Sequence, residues 1–136
     1  MNPDLKYLIG LLQLKGVGSS SIIKLLKHYG SAKKTFEHMP NDISKNMKGV
    51  SLPIKEAICG GPNWVEVEKE LAFIERNEIQ CITYHDENYP RRLKFCADAP
   101  VLLLPHHTFR KGSIPSQLHY HILHFLSGIN HIPVYV

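Results

Sequence analysis

Leu14-Lys15-Gly16-Val17-Gly18-Ser19-Ser20-Ser21-Ile22-Ile23-Lys24-Leu25-Leu26-Lys27-His28-Tyr29-Gly30 is the stretch whose reading decides the fold. Ahead of it Leu5, Leu8, Ile9, Leu11 and Leu12 are spaced for one face of a helix. Within it Ile22, Leu25, Leu26 and Tyr29 recur at i, i+3, i+4 and i+7, which predicts a second amphipathic helix. Gly16-Val17-Gly18 lies between the two. Glycine takes positive φ without a Cβ penalty, so two glycines around one apolar residue allow a sharp reversal. Ser19 is placed to cap the second helix and Gly30 to close it in the left-handed conformation. The stretch reads as helix, tight hairpin, helix.

The first amides of that second helix lack intrahelical partners, and the helix dipole adds partial positive charge there. A loop free of bulky side chains lets a phosphate approach those donors. Ser19, Ser20 and Ser21 add hydroxyls, and Lys15, Lys24 and Lys27 add charge. The unit resembles the helix-hairpin-helix motif, which grips a nucleic-acid backbone without reading its sequence. The predicted contact residues are Lys15, Gly16, Val17, Gly18, Ser19, Ser20, Lys24 and Lys27. The other reading of the same residues is an ordinary helix turn beside a solvated lysine face.

Charge favours a polyanion as the partner. Residues 1–34 carry a balance of +5, residues 35–60 balance at zero, residues 61–98 carry −3 and residues 99–136 carry +2. The positive charge therefore gathers around the hairpin, as in a nucleic-acid binder. The 136 residues suit one domain, or a small domain with part of another, and an apolar content of 43% is enough for a core. No apolar run reaches the roughly 18 residues of a membrane span. Tyr7 to Leu14 is too short, and lacks the cleavage site, to read as a signal peptide. Cys59, Cys81 and Cys96 are odd in number and far apart, which predicts free, mostly buried thiols in a reducing cytoplasm.

Along the chain, Asn2-Pro3-Asp4 reads as a helix start, with a cap, a proline in the first turn and an acid facing the dipole. Ser31 predicts the cap of a short helix from Ala32 to His38, stopped before Pro40, and Asn41 or Asp42 begins another to about Met47. Met47-Lys48-Gly49-Val50-Ser51 then echoes Leu14-Lys15-Gly16-Val17-Gly18, and its following helix ends at Gly60. This is read as a second, degenerate hairpin with a packing role, or else as a chance tripeptide match. Asn63 caps the longest helix, Trp64 to about Asn77, with Trp64, Val67, Leu71 and Ile74 as its apolar stripe and Trp64 as a core anchor. Ile79 to Tyr84 reads as the first strand.

Glu70-Leu71-Ala72-Phe73-Ile74-Glu75-Arg76-Asn77-Glu78-Ile79 leads to Tyr84-His85-Asp86-Glu87-Asn88-Tyr89-Pro90-Arg91-Arg92-Leu93, then to Cys96-Ala97-Asp98-Ala99-Pro100 and Val101-Leu102-Leu103. That order resembles the N-terminal part of the DNA-processing DprA (Smf) family. There a helix-hairpin-helix domain precedes a strand, a "D-x-x-YP-x-x-L" turn and a "P-P-x-L" segment opening a Rossmann-like domain. The resemblance covers residues 5–104. Tyr89-Pro90 is read as starting a short helix, and Val101 to Leu104 as a buried parallel-type strand. The fold class expected is mostly α: a tandem helix-hairpin-helix, SAM-like domain (1–77), then a short incomplete α/β, Rossmann-like beginning (78–104) and a His-rich tail (105–136).

The family continues into a glycine-rich "V-G-x-R" phosphate turn and the rest of a doubly wound sheet that carries the single-strand site, and nothing after Leu104 supplies that pattern. No acidic residue follows Asp98, and six of the nine histidines fall between 106 and 131. This predicts a truncated or frameshifted member, the other reading being a genuine tail. His106, His107, His119, His121 and His124 share no spacing that completes a metal site, so neither metal nor cofactor is expected. No nucleophile elbow, paired carboxylates or Walker loop points to an enzyme. The resemblance implies a cytoplasmic bacterial protein of natural transformation and recombination that binds single-stranded DNA, with double-stranded DNA as a further partner. It also implies a homodimer that helps load the RecA recombinase, with no membrane partner. The competing class is a non-enzymatic interaction or scaffold module whose hairpins only pack.

Overall fold

The apolar spacing ahead of the first hairpin folds as expected. Leu5, Leu8, Ile9 and Leu11 form the buried side of α1 (Leu5–Gln13). The computed structural model describes residues 3–76, 78, 80–96, 99–105, 119–122 and 132–135. Among these the chain is mostly helical, with six helices and a small antiparallel sheet.

The helix start differs from the expectation: α1 begins after Asp4, whose side chain caps nothing in its own helix. Its carboxylate instead accepts the amides of Ala32 and Lys33, at 3.0 and 2.8 Å, in the first turn of α3 (Ala32–Asp42). Packing of the buried Ala32 puts those open amides beside Asp4, and two donors at a helix N-terminus outcompete Asp4's own backbone. Asn2 lies outside the described residues. α2 (Ser19–Tyr29) closes as expected at left-handed Gly30, whose amide donates to the Leu26 carbonyl at 2.8 Å.

α3 starts at the expected cap, with the Ser31 hydroxyl accepting the Lys34 amide at 3.1 Å. It does not stop at His38. It runs through Pro40 to Asp42, and the separate helix expected from Asn41 or Asp42 to Met47 is replaced by turns. Pro40 removes a single amide near the helix end. Met39 is fully buried beyond the expected stop, and Tyr29 Oη donates to Asp42 Oδ2 at 2.8 Å. Those two contacts hold the last turn. Burial and the bond to Asp42 push the Tyr29 phenol up to about 12. The bonds from Lys45 and then Tyr29 hold Asp42 below the usual carboxylate range.

α4 (Leu52–Gly60) and α5 (Trp64–Arg76) follow, with Asn63 Oδ1 accepting the Val65 amide at 3.1 Å. Val67 and Ile74 are buried, and Trp64 and Leu71 pack half-buried on the core. Trp64 meets Tyr7 and Phe36 edge-on, at ring separations of 5.7 and 5.4 Å, so it is the core anchor its stripe position predicts. Gly10 brings α1 close to it: a Cβ there would stand 3.2 Å from both Trp64 and Pro62.

The first strand is shorter than expected: β1 covers Ile82–Thr83, and Ile79 lies outside the described residues. The chain then reverses, with Asp86 Oδ2 accepting the Thr83 amide at 2.8 Å. The short helix α6 (Arg91–Lys94) starts as expected after Tyr89-Pro90, with Pro90 at the N-cap rather than in the first turn expected for it. Buried Tyr89 donates its hydroxyl to the Pro100 carbonyl at 2.5 Å. β2 (Leu102–Pro105) pairs antiparallel with β1, Ile82 opposite Leu103, and this corrects the parallel-type strand expected at Val101 to Leu104. A parallel return needs a long crossover, usually a full helix, whereas α6 has four residues and spans only about 6 Å. β3 (His119–Ile122) and β4 (Ile132–Tyr135) extend an antiparallel meander in the order β1-β2-β3-β4. His106, His107 and His124 lie outside the described residues. One cluster of buried apolar side chains runs from Leu5 to Leu103. Among the described residues no helix is long and apolar enough to cross a membrane.

The thiols correct a further expectation. Cys59, at the end of α4, and Cys96, just after α6, are exposed, and Cys81 is half-buried. Burial first, and Asp86 second, push the Cys81 thiol up to about 12. The thiolate is the reactive form, so at pH 8 iodoacetamide should modify Cys59 and Cys96 together and Cys81 at least about tenfold more slowly. Mass spectrometry of a time course checks this, and the lag should vanish in denaturant.

Candidate nucleic-acid interface

The hairpin between α1 and α2 is built by opposed demands on its side chains. Val17 turns into the core, while Lys15, Gly16 and Gly18 stay exposed. Gly16 takes φ 78°, the left-handed conformation expected of a glycine corner. Gly18, not Ser19, is the N-cap: it has the extended cap conformation, and Ser19 is already the first helical residue. Neither residue contributes a side-chain cap bond. The expectation for Ser19 fails because the extended turn out of the loop falls one residue earlier, on the glycine. The consequence is electrostatic: the first amides of α2 have no side-chain acceptor in front of them, and the macrodipole remains uncompensated by any acid in the first turn.

Ser20, Lys24 and Lys27 are exposed and recur at i, i+4 and i+7, so they share one face of α2. Lys27 lies in the last turn, about 12 Å along the axis from Ser19. It belongs to a basic strip rather than to the loop itself. Ser19 is half-buried. Ser21, read in the sequence as a further hydroxyl donor, is buried, and its Oγ faces the Gly49 carbonyl at 3.5 Å. It serves packing.

That contact brings in the second Lys-Gly-Val corner. Gly49 is left-handed at φ 83°, and Met47 and Val50 bridge across the turn. Lys24 lies directly over Gly49, where a Cβ would overlap its Cδ, Cε and Nζ. The second corner is thus packed against the first two turns of α2, and Lys48, next to Gly49, is exposed like Lys15, Lys24 and Lys27. The site residues expected from sequence did not include Lys48. The signal was present in the repeat, but the repeat does not say which way two hairpins face. On the far side of this corner Lys55 is buried and donates to the Lys45 carbonyl, in keeping with the packing role expected for the second hairpin.

Four of the other lysines are paired, while Lys34, Lys55 and Lys94 also meet no carboxylate among the described residues. Lys6, Lys33, Lys45 and Lys69 stand within 4.0 Å of Glu68, Glu37, Asp42 and Glu66. Among the described residues, Lys15, Lys24, Lys27 and Lys48 meet no carboxylate. A cavity of about 230 Å³ lies at the opposite end of α2, between Leu5, Leu26, Gly30 and Tyr84. Compared with protein-family models and with curated proteins, the chain gave no match to either.

Gly49→Ala should cost about 1–3 kcal/mol of unfolding free energy, because φ 83° disfavours a side chain, while the exposed end of Lys24 can move aside. Gly60→Ala, where a Cβ meets nothing within 4 Å, serves as the control and should be near neutral. Urea denaturation of both variants measures the difference.

Proposed function

We propose that this chain binds DNA without sequence preference, holding the phosphate backbone at the Lys15–Ser20 loop. Lys24, Lys27 and Lys48 supply flanking charge. The observation that carries this reading is the coincidence of an uncapped α2 N-terminus with lysines that no carboxylate neutralises among the described residues. Backbone amides and unpaired ammonium groups together are what a phosphodiester binds. Glycines at the corner leave room for it to approach.

The wider reading is a DprA-like protein of natural transformation and recombination that meets single-stranded DNA, with RecA and a second copy as further partners. The helical part (1–77) is its tandem-hairpin, SAM-like domain, and residues 78–104 open its Rossmann-like part. Support comes from the two halves of the resembling motif meeting each other: the tyrosine of Tyr89-Pro90 donates to the carbonyl of Pro100, just ahead of the Val101-Leu102-Leu103 run. No chemistry of bond making is assigned to the chain. The alternative, a scaffold module, is favoured by the contact of Lys24 with Gly49, which gives one of the lysines a packing role.

Salt separates the two readings. Three to four neutralised phosphates on a single strand predict that log K falls with log salt at a slope of about −2 to −3. A Lys15→Gln/Lys27→Gln double variant should flatten that slope by about 1.4. Fluorescence anisotropy with labelled oligonucleotides measures both. Gly18→Val, at φ −87° with nothing within 4 Å of a Cβ, should weaken the binding while far-UV circular dichroism stays helical. Salt-insensitive or absent binding by the folded protein would leave the hairpins as architecture only.

A further inference from the structure

Phe95 is 90% exposed, the most exposed large apolar side chain of the described residues. Its surroundings are not loose. Leu93, two residues earlier, packs against the core, and buried Tyr89 is tied to Pro100. Phe95 is the C-cap of α6 and keeps the right-handed helical conformation at φ −85° and ψ −8°. It therefore lies four residues from Arg91 and three from Arg92, the spacings that place side chains on one helix face. Both arginines are exposed, and neither guanidinium meets a partner among the described residues. Lys94 is used differently: its ammonium stands 5.6 Å from the Tyr84 ring and 5.9 Å from that of Tyr89, stiffening the turn behind α6.

We propose that Arg91, Arg92 and Phe95 form a second contact for single-stranded nucleic acid, with Phe95 stacking on a base and the two arginines holding the flanking phosphates. This rests on the DNA-binding reading of the hairpin and gives it a strand preference. The ligand follows from chemistry. An aromatic face beside two unpaired guanidinium groups matches a polyanion that shows π-faces, and a single strand does so while a duplex hides its bases. An acidic peptide satisfies the arginines but leaves the ring face unused. A membrane surface needs a longer amphipathic helix than the four residues of α6. The sequence hides this patch, because residues 61–98 are acidic in sum and the basic run Arg91-Arg92-Leu93-Lys94 is averaged away.

The test uses the full chain and three labelled 15-residue probes at fixed salt: oligo(dT), an abasic strand of equal charge, and a duplex. Phe95→Ala should weaken oligo(dT) binding about 5- to 100-fold and leave the abasic strand and the duplex unchanged, with Phe95→Trp restoring affinity. Arg91→Gln/Arg92→Gln should weaken both single strands. Circular dichroism confirms the fold, and Phe95 is exposed enough that truncation leaves the core intact. Unchanged oligo(dT) affinity in Phe95→Ala, with binding still weakened in Gly18→Val, would overturn the proposal and spare the hairpin. Absence of binding to every probe would overturn both. Binding to phosphatidylserine vesicles that depends on Phe95, with no effect on oligo(dT), would overturn it in favour of a lipid surface.

Discussion

The helical part depends on two lysine-glycine-valine corners that both turn through positive φ, the second packed against the helix that the first begins. Gly16 reverses the chain between α1 and α2, and Gly49 does the same ahead of α4. Lys24 rests on Gly49, and Ser21 faces its carbonyl, so the start of α2 is shared between the two corners. A side chain at Gly49 would displace the end of Lys24 and strain a backbone held at φ 83°, beside the part of α2 where Ile22 and Leu25 are fully buried. The same constraint fixes what the surface can offer. With Val17 and Ser21 turned inward for packing, the residues left outside are glycines, Ser20 and lysines.

Three polar contacts lock the rest to this pair. Asp4 ties the start of α1 to the start of α3, Tyr29 ties the end of α2 to the end of α3, and Tyr89 ties the turn before α6 to the start of β2. Each joins segments far apart in sequence and satisfies a group that burial would otherwise penalise. They lie away from the hairpin loop, which leaves the α2 N-terminus without an acceptor. A carboxylate such as Asp4 placed there would cap the helix and would also repel a phosphate.

Much of the helical frame was legible because its signals are local. The apolar spacing of Leu5 to Leu12, the cap at Ser31, the stop at Gly30 and the stripe on α5 each depend on a few neighbouring residues. The misreadings arise where a distant residue decides. Pro40 reads as a stop, but buried Met39 and the Tyr29–Asp42 bond carry α3 past it. Asp4 reads as a local helix start, but the α3 amides claim it. The Val101 to Leu104 run reads as a parallel strand because it is uniformly apolar, and only its pairing with Ile82–Thr83 shows the antiparallel direction. At the site, the glycine corner and its lysines were readable, whereas the contribution of Lys48 and the exposed Phe95 needed the relative placement of segments.

The account as a whole holds that one glycine corner presents backbone amides to a phosphodiester. The measurement that tests this most directly is a two-dimensional amide NMR titration of the protein with a short oligo(dT). The account predicts the largest shifts at Gly16, Gly18, Ser19 and Ser20, reduced by added salt, with the amides of Met39 and Ile58 in the core unmoved. Shifts confined to other surfaces, or none at low salt, would contradict it.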